Sequence, residues 1–570
     1  MTQNPMKAWT AAVLFALLPS LAAAAPPPAP SASAAKAAQA ITPDSLQAPI
    51  RFLADDLLEG RGPATRADKL TQLYLVSTLQ YLGLKPGAGA GGAGDIGSYI
   101  QPFDVIGVTS GDPDTWTFQK GSASQTFKYG DHFIAASGVP QESSGFDGAE
   151  IVFVGFGIQA PEYKWDDFKG MDLKGKVLLV MNNDPDWDPA LFEGKRRLQY
   201  GRWDYKYETA GKHGAAGVII IHTTPSAGYG WQVVQNSWSV ELFQLADDKA
   251  PRIQVAAWTT EDAARALVKL GGFDLDTLRK QAESRDFKPV PLGVTSSFHL
   301  TNKVRHVQMA NVVGLLPGSD PKLKDQVVIY SAHHDHLGIG KPDATGDTIY
   351  NGAIDNASGV AQVLAIAKAY TELAEKPKRS ILFLFVAGEE KGLLGSLAYS
   401  LHPTIAPGRI AADINYDGGN ILGRTSDVNL VSQGKSSLDK VVEKVAATQQ
   451  RTVVGDLFPD KGFFYRSDQF SFAKIGVPSI YLHSGTHYRG HPDEWGREQA
   501  LVYETKHYHQ PSDQMTPDWV FDGMVEDARL GFFAGLDIAN TPALPTWNPG
   551  NEFEAVRKAA LAHAEEKTRP

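Results

Sequence analysis

The stretch VVIYSAHHDH, residues 327–336, decides the fold. It opens as an apolar run of strand length and ends abruptly in His333, His334, Asp335 and His336. A short apolar run closed by polar residues reads as a buried strand. The text after it alternates. SGVAQVLAIAKAYTELAE (358–375) is a helix, ILFLFVAG (381–388) a strand, GLLGSLAYSL (392–401) a helix, IAADINYDG (410–418) a strand and LDKVVEKVAAT (438–448) a helix. Strands alternating with helices predict an α/β unit, a mixed, largely parallel sheet flanked by helices. Such sheets gather ligand-binding groups at the carboxyl ends of their strands.

The polar residues fall where that rule places them. His333 to His336 follow the first strand, Glu389 and Glu390 follow ILFLFVAG, and Asp417 follows IAADINY. Asp355 stands in GAIDNASGV, just before a helix, and a polar knot, HYHQPSD (507–513), lies near the C-terminus. Two adjacent glutamates at a buried strand end are costly unless a cation compensates them, and a divalent metal is such a cation. Side-chain alternation reads His334 and His336 as pocket-wall or structural residues rather than ligands.

These motifs resemble peptidase family M28, the zinc aminopeptidase and glutamate carboxypeptidase group. The matching text is SAHHDHLG, NGAIDNASGV, AGEEKGLLGS, INYDGGN, YRSDQFSFAKIGVPSIYL and YHQPSDQ, covering most of 325–515 in the family's order. The resemblance implies two zinc ions per chain, with cobalt or manganese fitting the same ligands. It implies that His333 and Asp417 hold one ion, that Glu390 and His509 hold the other, and that Asp355 bridges both. Asp335 would stand behind His333 and orient its ring. Glu389 would bind no metal and act as general base on the attacking water. A cis peptide at Asp355–Asn356 is implied as well. Tyr465, Arg466 and Asp468 are candidate substrate-binding residues, with Tyr465 as an oxyanion donor. His507 competes with His509 for the last ligand position, and the motif favours His509. Asp513 reads as structural, and Asn356 as lining the site.

The implied activity is that of an exopeptidase on peptide substrates, an aminopeptidase first. A carboxypeptidase would need a cation for the terminal carboxylate, and Arg466, Arg489 and Arg497 are available. Glutaminyl cyclases share the fold, but Glu389–Glu390 fits the peptidase pattern. A metal-free, receptor-like binding module is disfavoured, because every ligand position is filled. The segment 483–507, rich in His, Trp, Arg and Glu, is longer than simpler members carry and is expected to form a lid or subsite wall. The aromatic stretch 228–245 is a second candidate wall.

Upstream, 121–292 holds short β runs between Gly, Pro and Asp turns and forms a β-rich unit of its own. KGKVLLV (174–180) and KHGAAGVIII (212–221) resemble the protease-associated domain inserted in many M28 peptidases. Residues 42–120 read as the N-terminal helical part of the peptidase domain, opening with Thr42 as N-cap and Pro43 in the first turn. The catalytic domain is expected over 293–545, and a helical C-terminal tail over 546–570.

Residues 26–41, rich in Pro, Ala and Ser, read as a disordered or extended linker. Lys7, an apolar run and Ala22–Ala25 make 1–25 a bacterial-type signal peptide, so export to the periplasm or medium is expected. The run is too short for stable membrane insertion, which takes about 20 residues. The chain has 570 residues, a net charge of −10 and no cysteine. Thiolate sites and disulfides are excluded, and the acidic balance without a basic block argues against nucleic acid.

Overall fold

The computed structural model describes residues 29–89, 96–111, 113–238 and 240–566. The signal-peptide reading lies outside them. Among the described residues no helix is long and apolar enough to cross a membrane.

The sheet that carries His333 is built on four parallel strands. Ser380–Val386, Val327–His333, Ile410–Asn415 and Ser479–Ser484 lie side by side in that order. Asp427–Leu430 adds antiparallel beyond Ser479–Ser484, and Val290–Leu316 adds antiparallel on the other side. The chain leaves Val327–His333 for its neighbour on one side, then returns to its neighbour on the other. His333 therefore ends the strand at which the sheet's order reverses, where open α/β sheets form their crevice.

Alternation along the strands builds a core on each face. Val328, Tyr330 and Ala332 pack with Phe383, Phe385 and the helices Pro43–Leu53, Gly359–Thr371 and Asp522–Asn540. Val327 and Ile329 pack with Leu382, Leu384, Tyr399 and Phe472 on the other face. Gly359–Thr371 is apolar nearly all round and buried along almost its whole length, as a helix enclosed between sheet and helices must be. Thr42 caps Pro43–Leu53 through a reciprocal pair with Ser45.

The β-rich unit has its own sheet, with Val177–Met181, Gly217–His222 and Val255–Thr260 parallel at its centre. Its border differs from the expected one at 292/293. A single strand of 27 residues, Val290–Leu316, pairs first with Ser143–Phe153 in this sheet and then with Ile100–Ser110 and Ser380–Val386 in the other. Its in–out burial alternation runs straight through the expected border. Nor is 42–120 helical to its end. Ile100–Ser110 and Thr115–Lys120 are strands, and the second belongs to the β-rich unit.

The linker reading is also corrected. Ala32–Ala37 is a helix capped by Ser31, with Ala34 and Ala37 buried. Alanine's high helix propensity acts once the small face finds a surface to pack on. At the other end, Glu554–Glu566 forms a helix, anchored by buried Arg557 donating to the Ile410 carbonyl.

Candidate metal centre

Strand register brings the polar residues level. His333 lies opposite Val386, so Glu389 and Glu390 begin the next turn beside it. Ser331 lies opposite Asn415, so Asp417 arrives on the other flank. Asp355 enters from the loop ahead of helix Gly359–Thr371, and the Asp355–Asn356 peptide is cis. Asn356 is buried rather than lining the site. Its Oδ1 accepts the Gly359 and Gly418 amides, and its Nδ2 donates to the Tyr416 carbonyl, joining the loops of Asp355 and Asp417. Asp513 shapes the same loop by accepting the Ile354 and Asp355 amides at 2.9 and 3.0 Å.

The side chains converge on Asp355. His333 Nε2 is 3.2 Å from Asp355 Oδ1 and 3.3 Å from Asp417 Oδ1. His509 Nε2 is 3.3 Å from Asp355 Oδ2 and 3.1 Å from Glu390 Oε2. Asp355 thus turns one oxygen to each imidazole. His507 instead pairs with Ser512. His336, expected to be wall or structure, belongs to the donor cluster. Its Nδ1 lies 2.6 Å from Glu390 Oε1 but out of line for a hydrogen bond. His333, Asp355 and Asp417, and likewise His336, Asp355 and Glu390, bring their donor atoms within 4.8 Å of one another. His334 is structural, its Nε2 3.1 Å from Asp68 Oδ1.

Asp335 departs from its expected role. His333 Nδ1 faces the Asp335 backbone carbonyl at 3.2 Å, while the carboxylate lies at 3.8 Å and accepts the Glu389 amide. The tight turn after the strand brings the carbonyl, not the side chain, under the ring.

The electrostatics are those of acids crowded around two bases. Burial works against charge on His333, yet Glu389, Asp355 and Asp417 hold it well above the usual imidazole range. His509, against the same burial, is held up at about 10 by Glu390 and Asp355. Asp355 and Glu390 fall well below the carboxylate range despite burial, drawn down by His333 and His509 and by His509 and His336 respectively. Glu389 goes the other way. Burial and the nearby Asp417, Glu390 and Asp468 push it well up, more than His333 pulls it down. Glu390 Oε1, Asp335 Oδ2 and both His336 nitrogens are buried with no hydrogen-bond partner among the described residues. Converging acceptors without donors fit a bound cation, and imidazole with carboxylate suits zinc.

A cavity of about 590 Å³ opens on the cluster, and Asp355, Glu389 and Asp417 reach its wall. The 483–507 segment builds one side with Thr486, Tyr488, Val502 and Tyr503, partly through helix Trp495–Lys506. No described residue of the 228–245 stretch lines the cavity. Helix Trp231–Trp238 packs on the β-rich unit, and Leu242–Leu245 pairs with Ile100–Ser110. Of the candidate substrate residues, Arg466 lines the cavity, its guanidinium 5.2 Å from the Phe463 ring centre. Tyr465 does not. It turns into the core, accepting from Lys435 Nζ at 2.8 Å and donating to Glu552 at 2.6 Å. Adjacent residues at the end of a tight turn point to opposite sides. Asp468 is sealed behind the cluster, fully buried and pushed up to about 7 by that burial.

Residues 311–531 match the family model described as peptidase family M28. Over 408 residues the chain is 24% identical to a probable leucine aminopeptidase 2 of Aspergillus oryzae, covering 69% of this chain and 68% of that protein. A shorter match, 37% identical over 111 residues, links 20% of this chain to 23% of a probable zinc metalloprotease of Pyrenophora teres f. teres. Among solved structures, an aminopeptidase from Aneurinibacillus sp. strain AM-1 aligns over 90% of this chain and 98% of its own, with 17% identity and a TM-score of 0.49.

Proposed function

We propose that the protein is a di-zinc aminopeptidase removing N-terminal residues from peptides, a reading supported by the match of residues 311–531 to the peptidase family M28 model. The observation that carries this reading is Asp355, which offers one oxygen to the His333–Asp417 side and the other to the His509–Glu390 side. His333, Asp355 and Asp417 would hold one ion. Asp355, Glu390 and His509 would hold the other, with His336 against Glu390. Two such ions, when bound, polarise the scissile carbonyl and acidify the attacking water.

The chain's own groups supply the rest. Glu389 faces the cavity beside both donor sets, where its carboxylate takes the proton from water and returns it to the departing amine. Asp335 holds the Glu389 backbone amide and so the carboxylate's approach. Selection of an amino terminus is supported by the cavity's charge. Besides Asp355, Asp417 and Glu389, the acids Glu504, Asp513, Asp518 and Asp527 line it, against Arg466. Arg466 favours a second reading, recognition of a carboxylate, which would mark a carboxypeptidase or a preference for very short peptides. The β-rich unit fits a protease-associated domain, and the pattern of residues 1–25 supports export.

The test is elemental analysis of the purified protein beside an assay on aminoacyl-p-nitroanilides, with and without chelator. The reading expects about two zinc ions per chain and chelator-sensitive release. Metal without release on these substrates, but with release from C-terminally free peptides, would move the assignment to the carboxypeptidase. Absence of metal affinity would remove the proposal.

A further inference from the structure

Two of the loops that feed the cluster, those of His333 and Asp355, are held from below by one residue far away in the chain. Arg61 ends the turn Asp56–Arg61 and is 1% exposed. Its Nε donates to the His334 carbonyl at 3.0 Å. Its Nη1 donates to the Leu53 and Asn351 carbonyls, both at 2.6 Å, and its Nη2 to the Gly352 carbonyl at 3.0 Å. One guanidinium thus joins the loop of His333 to the loop that delivers Asp355. The Arg61 carbonyl in turn accepts the His336 amide at 3.3 Å.

Neighbouring residues tighten the same grip. Asp68 Oδ1 meets His334 Nε2, and Asn351 Nδ2 donates to the Ala54 carbonyl and Asp56 Oδ1. Glu59, Gly60 and Arg61 are all in the left-handed region, with φ of 45, 66 and 51°. The turn is pressed so close that a Cβ on Gly60 would lie 2.4 Å from the Tyr350 carbonyl oxygen. The positive charge faces Asp335, Asp355, Asp513 and Glu390.

We propose that Arg61 is a positioning residue for the metal centre, setting the distance between the His333 loop and the Asp355 loop so that their donors share Asp355. The inference rests on the metal reading above. A planar fork with donors in fixed directions can serve four carbonyls on three segments, and a lysine's three donors on one nitrogen cannot. Groups that orient ligands without touching the metal typically govern its affinity by about 10–100-fold.

Arg379 provides the control. It is equally buried and donates to the carbonyls of Ile538, Thr541 and Pro542, but it touches neither metal-bearing loop. The experiment compares full-length wild type, Arg61→Lys, Arg61→Met and Arg379→Lys. It reads zinc affinity by competition with a chromogenic chelator, the visible spectrum after cobalt(II) loading, and the melting midpoint in EDTA.

The expected result for Arg61→Lys is zinc affinity weakened about 10–100-fold and an altered cobalt spectrum, with a metal-free midpoint no lower than that of Arg379→Lys. Arg379→Lys should melt earlier with unchanged zinc affinity. If Arg61→Met does not fold, Arg61→Lys, which keeps the charge and most of the volume, decides. Unchanged affinity and spectrum in Arg61→Lys, beside a wild type that binds zinc, would overturn the positioning role alone. A wild type that binds no zinc would overturn the metal reading and this inference with it.

Discussion

Lys206 in the β-rich unit and Glu390 at the end of the catalytic sheet are both buried ionisable groups, and their surroundings are opposite. Lys206 Nζ donates to the carbonyls of Phe156, Asn183 and Tyr200, one for each of its three protons. Nearby Asp167 accepts the Ile158 amide and Trp165 Nε1. Glu390 shares its surroundings with Asp355 and Asp335, and its Oε1 faces His336 without a hydrogen bond. In the first place each polar group has its hydrogen-bond partners, and the cluster ties loops together. In the second, carboxylates and imidazoles crowd one space, and Glu390 Oε1, Asp335 Oδ2 and both His336 nitrogens find no hydrogen-bond partner among the described residues. Buried charge that is fully matched is structure, and buried charge left converging marks a site for something the chain does not supply.

The largest expected effect separates the two clusters by function. Glu389→Gln should lower turnover by about 10²–10⁴-fold while zinc content stays at the wild-type level. Loss of zinc with the activity would mean that Glu389 is a ligand. Lys206→Met should do the reverse. It leaves three buried carbonyls without a donor and should cost about 3 kcal/mol in urea unfolding, with zinc affinity unchanged. A weakened zinc site in that variant would show the clusters to be coupled.

A smaller effect is readable in pH. Burial pushes the Asp167 carboxyl up to about 7, outweighing the bonds from Ile158 and Trp165 and the charge of Lys206. The folded protein then keeps a proton that the unfolded chain releases near pH 3.8, so this contribution to stability falls as pH rises from about 4 to about 7. Wild type should therefore lose more of its melting midpoint across that window than Asp167→Asn does. Parallel slopes would show that Asp167 titrates as in water. The smallest effect is Tyr465→Phe. Losing one buried hydroxyl between Lys435 and Glu552 should cost about 1 kcal/mol and leave kcat/KM unchanged. A fall in kcat would return Tyr465 to the substrate.

Much of the site was legible because strand ends are conspicuous in sequence. His333, Glu389, Glu390 and Asp417 each follow an apolar run, and a sheet with ordered register must bring such residues together. His509 was legible only through its motif, since no apolar run precedes it. Tyr465 and Asp468 were misplaced for a common reason. Proximity in sequence to Arg466 says nothing about which way each side chain leaves a turn. His336 was set aside on strand alternation, which no longer applies once the strand has ended at His333. The 292/293 border does not hold because a change from short β runs to strand–helix alternation need not break the chain, and the in–out alternation of Val290–Leu316 runs on across it.

The sequence alone determined the α/β alternation, the absence of any thiol ligand and the acidic and imidazole residues around which the site is built, because these follow from local periodicity and residue chemistry. Tertiary structure decided which of two neighbouring histidines reaches Asp355, that the 483–507 segment walls the cavity, and that Arg61 grips two loops nearly three hundred residues further on. Those outcomes depend on backbone carbonyls and on the direction each side chain takes from its turn. Every residue type carries the same carbonyl, so no residue code records which of them a distant guanidinium will find.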